Sequence, residues 1–229
     1  MSEKNVGKKK VAVQLPAVAK QIPLEERYSL ELESLDDVAE LVEVDGSSPD
    51  SFLEGARDAD ALLTSWGIRI DQQIISGLEK CAVIGVGSVG VDMVDVDAAT
   101  EAGIVVTNVP DVFIEEVADH TLMLLLACAR RSKLMDKMVN DGNWYKGRPI
   151  LEQIPRLWGQ TLGLISFGNV ATAVARRAKP FGLNVIAYDP YVTELKMTAE
   201  GVQPVNLPEL YEKSDYISIH PGLNDTSRA

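Results

Sequence analysis

Cysteine, histidine and aromatic residues are scarce in this chain of 229 residues. It contains two cysteines, two histidines and 6% aromatic residues. Two cysteines cannot build the framework of a disulfide-stabilised secreted domain. Because Cys81 and Cys128 each lie inside an apolar stretch, we expect both to be buried thiols in a reducing compartment. No cysteine or histidine pair has the spacing of metal ligands, so the sequence predicts no metal site.

Basic residues and long apolar runs are also lacking. The chain has 22 lysines and arginines against 34 acidic residues, which gives a net charge of −12. A surface of this charge repels a phosphate backbone and argues against a nucleic-acid partner. The most apolar stretch, 122–129, is far shorter than the roughly 18–20 residues of a membrane span, and the apolar run near the N-terminus is too short for a signal peptide. We therefore expect a cytoplasmic protein without a membrane anchor.

Short strand-type runs alternate with helix-type segments in the first half of the chain. The strand candidates are 11–15, 41–44, 61–64, 82–85 and 104–107. Ser48 before Pro49 and Asp71 before an apolar repeat are signals for helix starts. Strands separated by helices favour a parallel sheet with right-handed crossovers, so the pattern predicts a first α/β domain.

A helix pattern follows Pro110 and extends from 115 to 131. Because its apolar residues lie nearly all round the helix, we expect this helix to be buried. Segment 140–156 mixes glycine, asparagine, proline and aromatic residues without a period, which predicts an irregular arm. Trp144 and Tyr145 in this arm either touch a substrate or, as is more common for such aromatics, pack against a partner subunit.

Residues 161–190 have the layout of a dinucleotide-binding unit. A strand pattern at 162–166 leads into Gly168 and a helix pattern over 170–178, and a second strand pattern at 184–188 ends at Asp189. In such a unit, backbone N–H groups and the positive helix N-terminus meet a pyrophosphate, and an acidic side chain accepts the ribose hydroxyls. Asp189 follows Gly168 at about the 20-residue distance that this motif requires.

The glycine fingerprint of this unit, G-x-G-x-x-G/A, appears at 166–171 as Ser-Phe-Gly-Asn-Val-Ala. Serine carries a Cβ at a position where the turn prefers none, so we expect either a reshaped turn or a reduced affinity for the dinucleotide. No Gly-Lys-Ser/Thr follows Gly168, which excludes a mononucleotide phosphate loop. Because the carboxylate of Asp189 repels a 2′-phosphate, the sequence favours NAD over NADP.

Further motifs extend over most of the chain. They are Asp60-Ala-Leu-Leu-Thr64, Gly90-Val-Asp-Met-Val-Asp95, the run 98–110, Glu115-Glu-Val-Ala-Asp-His-Thr121, Arg156-Leu-Trp-Gly-Gln-Thr-Leu-Gly163, Val185-Ile-Ala-Tyr-Asp-Pro190, and Ser214-Asp215 with His220. With these motifs the chain resembles the D-isomer-specific 2-hydroxyacid dehydrogenase family, most closely the branch related to the C-terminal-binding-protein corepressors. The resemblance implies an N-terminal, flavodoxin-like substrate domain at 1–110 and an incomplete Rossmann NAD-binding domain at 111–229.

The resemblance also implies roles for individual residues. The backbone of Ser88, Val89 and Gly90 would face the carboxylate of a small 2-oxo or 2-hydroxy acid. For NAD, it implies that Asn169 and Val170, which follow Ser166 and Gly168 in the loop, contact the pyrophosphate. Asp189 would contact the adenosine ribose. Pro221 and Gly222 would contact the cofactor beside the fourth strand. The branch usually has arginine at position 86 and asparagine at 93, whereas this chain has Val86 and Met93.

In the family, hydride transfer depends on an arginine, a histidine and a carboxylate in motifs that this sequence does not contain. We therefore expect a chain truncated before the catalytic motifs, with no catalytic residue of its own. His120 is predicted to be a packed structural group, and His220 to end a strand without acid–base duty. Three interpretations stay open: an NAD-dependent oxidoreductase acting on the CH–OH group of a D-2-hydroxy acid, an NAD-binding module without catalysis, or an incomplete reading frame. The family resemblance favours a homodimer.

Overall fold

The computed structural model describes residues 7–15, 22–35, 37–65, 67–224 and 226–227. The chain divides into two compact units, Met1–Val112 and Phe113–Ala229. Each unit is built on a parallel sheet with its own apolar core.

The first unit contains a five-stranded sheet. Its strands are β1 (Lys9–Leu15), β2 (Ala39–Asp45), β3 (Ala61–Thr64), β4 (Val83–Val86) and β5 (Val105–Thr107), and its helices are α1 (Leu24–Arg27), α2 (Ser29–Leu35), α3 (Pro49–Ala56), α4 (Gln72–Gly77) and α5 (Val96–Glu101). The spatial order is β2-β1-β3-β4-β5, with every pair parallel. This is the flavodoxin-like order that was predicted. All five predicted strands form, each within two residues of its predicted bounds.

The helix starts of the first unit follow from capping side chains. The Oγ of Ser48 accepts a hydrogen bond from the backbone N–H of Ser51, and Pro49 takes the first position of α3. Asp71 caps α4 by accepting from the backbone N–H of Ile74 at 3.1 Å. Both predicted helix starts are therefore confirmed.

Apolar side chains cover the first sheet on both faces. Ala12 and Leu62 belong to one core cluster, whereas their neighbours in sequence, Val13 and Leu63, belong to or pack against another. Because successive side chains of a strand point to opposite faces, the two clusters lie on opposite sides of the sheet. The sheet is thus sandwiched between helices on both faces.

Asp60 links the amino ends of β1 and β3. Its Oδ1 accepts a hydrogen bond from the Nζ of Lys9 at 2.8 Å, and its Oδ2 accepts one from the backbone N–H of Lys10 at 2.9 Å. The Nζ of Lys80 lies 3.6 Å from Oδ2. The hydrogen bond from Lys9, followed by that from the Lys10 backbone, lowers the pKa of Asp60 to about 2.

We expect the stabilisation from Asp60 to be lost in acid. Because the folded-state pKa lies below the unfolded value of about 4, the unfolded chain binds more protons between about pH 4 and pH 2, and stability falls over that window. Thermal unfolding of the wild type and Asp60→Asn from about pH 6 downward checks this, since the difference in Tm should shrink as the pH falls. Salt at about 1 M should also reduce this difference in Tm at neutral pH, because Lys9 and Lys80 are exposed and their attraction to Asp60 is screened. A pH-independent difference would contradict the prediction.

The second unit contains a four-stranded sheet. Its strands are β6 (Thr161–Ile165), β7 (Asn184–Tyr188), β8 (Gln203–Pro204) and β9 (Tyr216–Ile219), its helices are α6 (Ile114–Ala129), α7 (Ser132–Asn140), α8 (Arg148–Glu152), α9 (Asn169–Ala178), α10 (Glu194–Ala199) and α11 (Leu207–Lys213), and single 3-10 turns lie at Trp144–Gly147 and Lys179–Phe181. The spatial order is β8-β7-β6-β9, with all pairs parallel. When the four strands are numbered 1 to 4 along the chain, this order is the 3-2-1-4 arrangement of a Rossmann sheet.

Helix α6 is apolar nearly all round but is buried on one side only. The buried side chains of this helix are Ala118, Leu122, Leu125 and Ala129. Those of Val117, Met123 and Leu124 are about half exposed. The prediction of a helix buried all round is wrong for the described structure, because only one stripe of α6 reaches the core of the second unit.

Two smaller predictions also need correction. The arm 140–156 is not wholly irregular, since it contains the 3-10 turn Trp144–Gly147 and α8. Both cysteines are free, but Cys81 is only partly buried and Cys128 is exposed, because it lies on the open side of α6. Over the described ranges, none of the helices combines the length and the apolar content needed to cross a membrane.

Candidate functional site

The carboxyl end of β6 opens into a turn that leads directly into α9. The first N–H groups of a helix have no acceptor within the helix. Those of Asn169, Val170 and Ala171 also meet no other acceptor among the described residues. A Cβ placed on Gly168, the N-cap residue, would find no atom within 4 Å. The start of α9 therefore directs free donors and the positive end of the helix dipole at open space, as an anion such as pyrophosphate requires.

Ser166 adopts a backbone conformation that favours glycine. Its φ is +73°, in the left-handed region, which costs a residue with a Cβ roughly 1–2 kcal/mol. Its backbone N–H donates to the carbonyl of Tyr188 at 2.8 Å, which fixes the turn against β7. The turn thus keeps the glycine-type geometry of the fingerprint although the first glycine is replaced.

Asp189 holds the loop after β6 to the loop after β7. Its Oδ2 accepts hydrogen bonds from the backbone N–H of Phe167 at 2.8 Å and the hydroxyl of Ser166 at 3.1 Å. Its Oδ1 accepts from the backbone N–H groups of Tyr191 at 2.8 Å and Val192 at 3.1 Å. Burial raises the pKa of Asp189, but these hydrogen bonds together outweigh it and lower the pKa below its usual value. The side chain is therefore a carboxylate at neutral pH.

A cavity of about 450 Å³ opens beside Asp189, at the carboxyl ends of β7 and β8. Its acidic lining residues are Asp189, Glu194 and Glu209. Sequence reasoning missed the two glutamates. The available signal was that each lies in the first turn of the helix following a strand, α10 after β7 and α11 after β8, and so at the carboxyl edge of the sheet. Three carboxylates favour ligand groups that donate hydrogen bonds and repel an added phosphate.

The chain after β9 reaches the same edge of the sheet. The backbone N–H of His220 donates to the carbonyl of Ile165 at 2.9 Å, which continues the pairing of β9 with β6 by one residue. Pro221 and Gly222 follow, and both are exposed. Because the carboxyl ends of parallel strands meet at one edge, these two residues, the turn at Ser166 and Asp189 share the predicted cofactor edge.

The residues predicted to face a substrate carboxylate follow β4 in the first unit. The carbonyl of Val89 accepts a hydrogen bond from the Nδ2 of Asn108 at 2.8 Å, and that of Gly90 accepts one from the hydroxyl of Ser88 at 2.9 Å. The backbone N–H groups of Ser88, Val89 and Gly90 donate to no group in the described part of the chain. In this loop the carbonyls of Val89 and Gly90 accept hydrogen bonds, whereas the three backbone N–H groups remain free to bind an anion.

The two histidines of the chain lie in different surroundings within the second unit. His120 is exposed on α6, so the prediction of a packed group is wrong; it lies outside the buried stripe of that helix. The Nε2 of His220 lies 2.9 Å from the hydroxyl of Ser218, and burial lowers the pKa of its imidazole. The described side chains also include no group of three His, Cys, Asp or Glu that could hold a metal ion.

Comparison with known proteins adds a family context to this geometry. Residues 122–229 match the family model described as D-isomer specific 2-hydroxyacid dehydrogenase, NAD binding domain. Over 195 residues the chain is 38% identical to a D-3-phosphoglycerate dehydrogenase of Methanocaldococcus jannaschii, an alignment that covers 85% of this chain and 37% of that protein. It is 37% identical over 175 residues to a glyoxylate reductase of Korarchaeum cryptofilum, with 76% and 53% covered. The chain thus spans about a third to a half of the length of these curated relatives.

Solved structures show the same architecture. A D-lactate dehydrogenase from Aquifex aeolicus, complexed with NAD and lactic acid, has a TM-score of 0.79 and 26% identity, covering 94% of this chain and 62% of that one. A glyoxylate reductase from Paecilomyes thermophila has a TM-score of 0.77 and 27% identity, with 96% and 67% covered. The fold described above is therefore similar to that of these two solved enzymes.

Proposed function

We propose that this chain belongs to the D-isomer-specific 2-hydroxyacid dehydrogenase family and provides the NAD-binding and carboxylate-binding parts of an oxidoreductase acting on the CH–OH group of a D-2-hydroxy acid. The observation that carries the proposal is the start of α9, where free backbone donors and open space at Gly168 lie next to the carboxylate of Asp189. The N-terminus of this ten-residue helix, with an acidic residue across the turn, matches a dinucleotide in both charge and shape.

The residues present fit NAD in four places. The N–H groups of Asn169 and Val170 would hold the pyrophosphate, and Asp189 would accept from the adenosine ribose. The cavity between the ends of β7 and β8 would take the adenosine, and Pro221 and Gly222 would flank the cofactor at the end of β9. When bound, NAD supplies the hydride acceptor of such a reaction.

Charge in the adenosine cavity supports NAD rather than NADP. Glu194 and Glu209 join Asp189 in its lining, and no lysine or arginine is among the described lining residues. A 2′-phosphate would enter this field at a cost that grows as water is excluded. The cavity therefore favours a cofactor with a free 2′-hydroxyl.

On the substrate side, the free N–H groups of Ser88, Val89 and Gly90 would hold the carboxylate of a 2-oxo or 2-hydroxy acid. Proton transfer to or from the C2 oxygen needs an acid or base, and the histidines in this sequence are His120 and His220. A second candidate function, an NAD-binding module without catalysis, is favoured by these two histidines: one is exposed, and the other is engaged with Ser218. We propose a homodimer for either function, supported by the exposed Trp144 and Tyr145.

The 229-residue chain should bind NADH, bind NADPH more weakly, and show no turnover. Calorimetric titration with each cofactor measures the first two expectations. NADH absorbance at high protein concentration, with pyruvate, glyoxylate, hydroxypyruvate and 2-oxobutyrate, measures the third. Equal or tighter binding of NADPH would overturn the cofactor assignment. Turnover that disappears in His120→Asn would show that the exposed histidine is catalytic and would exclude the module without catalysis.

A further inference from the structure

We propose that the hydroxyl of Ser166 occupies the acceptor position on Asp189 that a ribose hydroxyl of bound NAD would use. Ser166 is then a positioning residue, which acts through Asp189 to set the affinity of this chain for the adenosine part of its cofactor. The inference rests on the proposed NAD-binding function and deepens it.

The hydrogen bonds that Asp189 accepts occupy all the acceptor sites of its carboxylate. A carboxylate offers about four acceptor sites. Oδ1 receives two backbone N–H groups, and Oδ2 receives one backbone N–H and the hydroxyl of Ser166. A ribose hydroxyl that donates to this carboxylate must therefore displace one of these four donors.

The four donors differ in how readily they can leave. Those of Phe167, Tyr191 and Val192 belong to the backbone and cannot move without moving a loop. The hydroxyl of Ser166 can leave by rotation about a single χ1 bond. At 3.1 Å its hydrogen bond is also longer than the 2.8 Å bond from Phe167 to the same oxygen. The ribose and Ser166 therefore compete for Oδ2.

Serine at this position has two separable effects. Its Cβ places a side chain at a φ of +73°, which glycine would adopt without strain. Its hydroxyl closes Oδ2 to a ligand. Ser166→Ala removes the hydroxyl and keeps the Cβ, whereas Ser166→Gly removes both. The alanine variant is therefore the matched control that isolates the hydroxyl.

The test measures how strongly each protein distinguishes ADP from 2′,3′-dideoxy-ADP, which lacks both ribose hydroxyls. Calorimetric titrations of the full chain give this ratio for the wild type, Ser166→Ala and Ser166→Gly. We expect the ratio to rise about tenfold in both variants, the effect of one additional hydrogen bond to a charged group. A merely structural role of Ser166 would alter both affinities together and leave the ratio unchanged.

The outcomes separate the inference from the function on which it rests. An increased ratio in both variants supports competition between the hydroxyl and the ribose. An increase in Ser166→Gly alone assigns the effect to backbone strain and overturns the inference, as does an unchanged ratio in both variants while ADP still binds. Failure of ADP and NADH to bind any of the three proteins, with thermal unfolding showing that each is folded, overturns the proposed function and the inference with it.

Discussion

Asp189→Ala should weaken NADH binding about tenfold or more and remove most of the preference for NADH over NADPH. The carboxylate is the proposed acceptor for the ribose hydroxyls, and its charge opposes a 2′-phosphate. Its removal also breaks the four hydrogen bonds that join the loops after β6 and β7. NADPH loses the same loop order but is relieved of the charge repulsion, so its affinity should fall less. Titration of both cofactors against both proteins measures the two ratios.

Asp215→Ala is the matched control for this result. Asp215 is an exposed carboxylate directly before β9 of the same sheet, and its Oδ2 accepts a hydrogen bond from the backbone N–H of Thr161 at 2.8 Å. That hydrogen bond lies at the amino end of β6, opposite the proposed cofactor edge. Asp215→Ala should lower stability and leave the preference between cofactors unchanged. If both variants narrowed the preference equally, Asp189 would have no specific role in cofactor recognition.

The sheets could be predicted because their signals are local. The runs 61–64 and 184–188 are short and mostly apolar, each is followed by a polar residue, and both form strands with these bounds. Ser48 and Asp71 cap helices through hydrogen bonds that span three residues, so the sequence contains both partners side by side. The distance from Gly168 to Asp189 reflects one strand–helix–strand unit, which explains why a spacing rule finds it.

The missed features depend on contacts between distant segments. The apolar pattern of α6 indicates burial but cannot show which of its faces meets a partner, and Val117 and Leu124 are about half exposed. The hydroxyl of Ser166 and the carboxylate of Asp189 are 23 residues apart, so their hydrogen bond follows from two loops meeting at one sheet edge. Glu194 and Glu209 share a cavity for the same reason. Composition and spacing do not contain such information.

Phe167→Ala should lower the free energy of unfolding of the second unit by about 3–5 kcal/mol. Phe167 lies inside the proposed cofactor loop, between Ser166 and Gly168, yet its side chain is 0% exposed and belongs to the core cluster of the unit. Phe167 is therefore anchored in the core by its ring, while its backbone N–H donates a hydrogen bond to Asp189. A cavity at this position should cost both stability and loop order.

Phe181→Ala is the control, since Phe181 lies in the same unit and is 44% exposed. We expect Phe181→Ala to lower the free energy of unfolding by about 1 kcal/mol or less, because much of the Phe181 ring is already in contact with water. Phe167→Leu keeps most of the buried volume and should cost about 1.5 kcal/mol or less. Urea unfolding measures the three costs, and titration at low temperature measures NADH binding by the folded variants. Phe167→Leu should retain NADH binding and Phe167→Ala should weaken it; equal costs for Phe167→Ala and Phe181→Ala would show that the core does not anchor this loop.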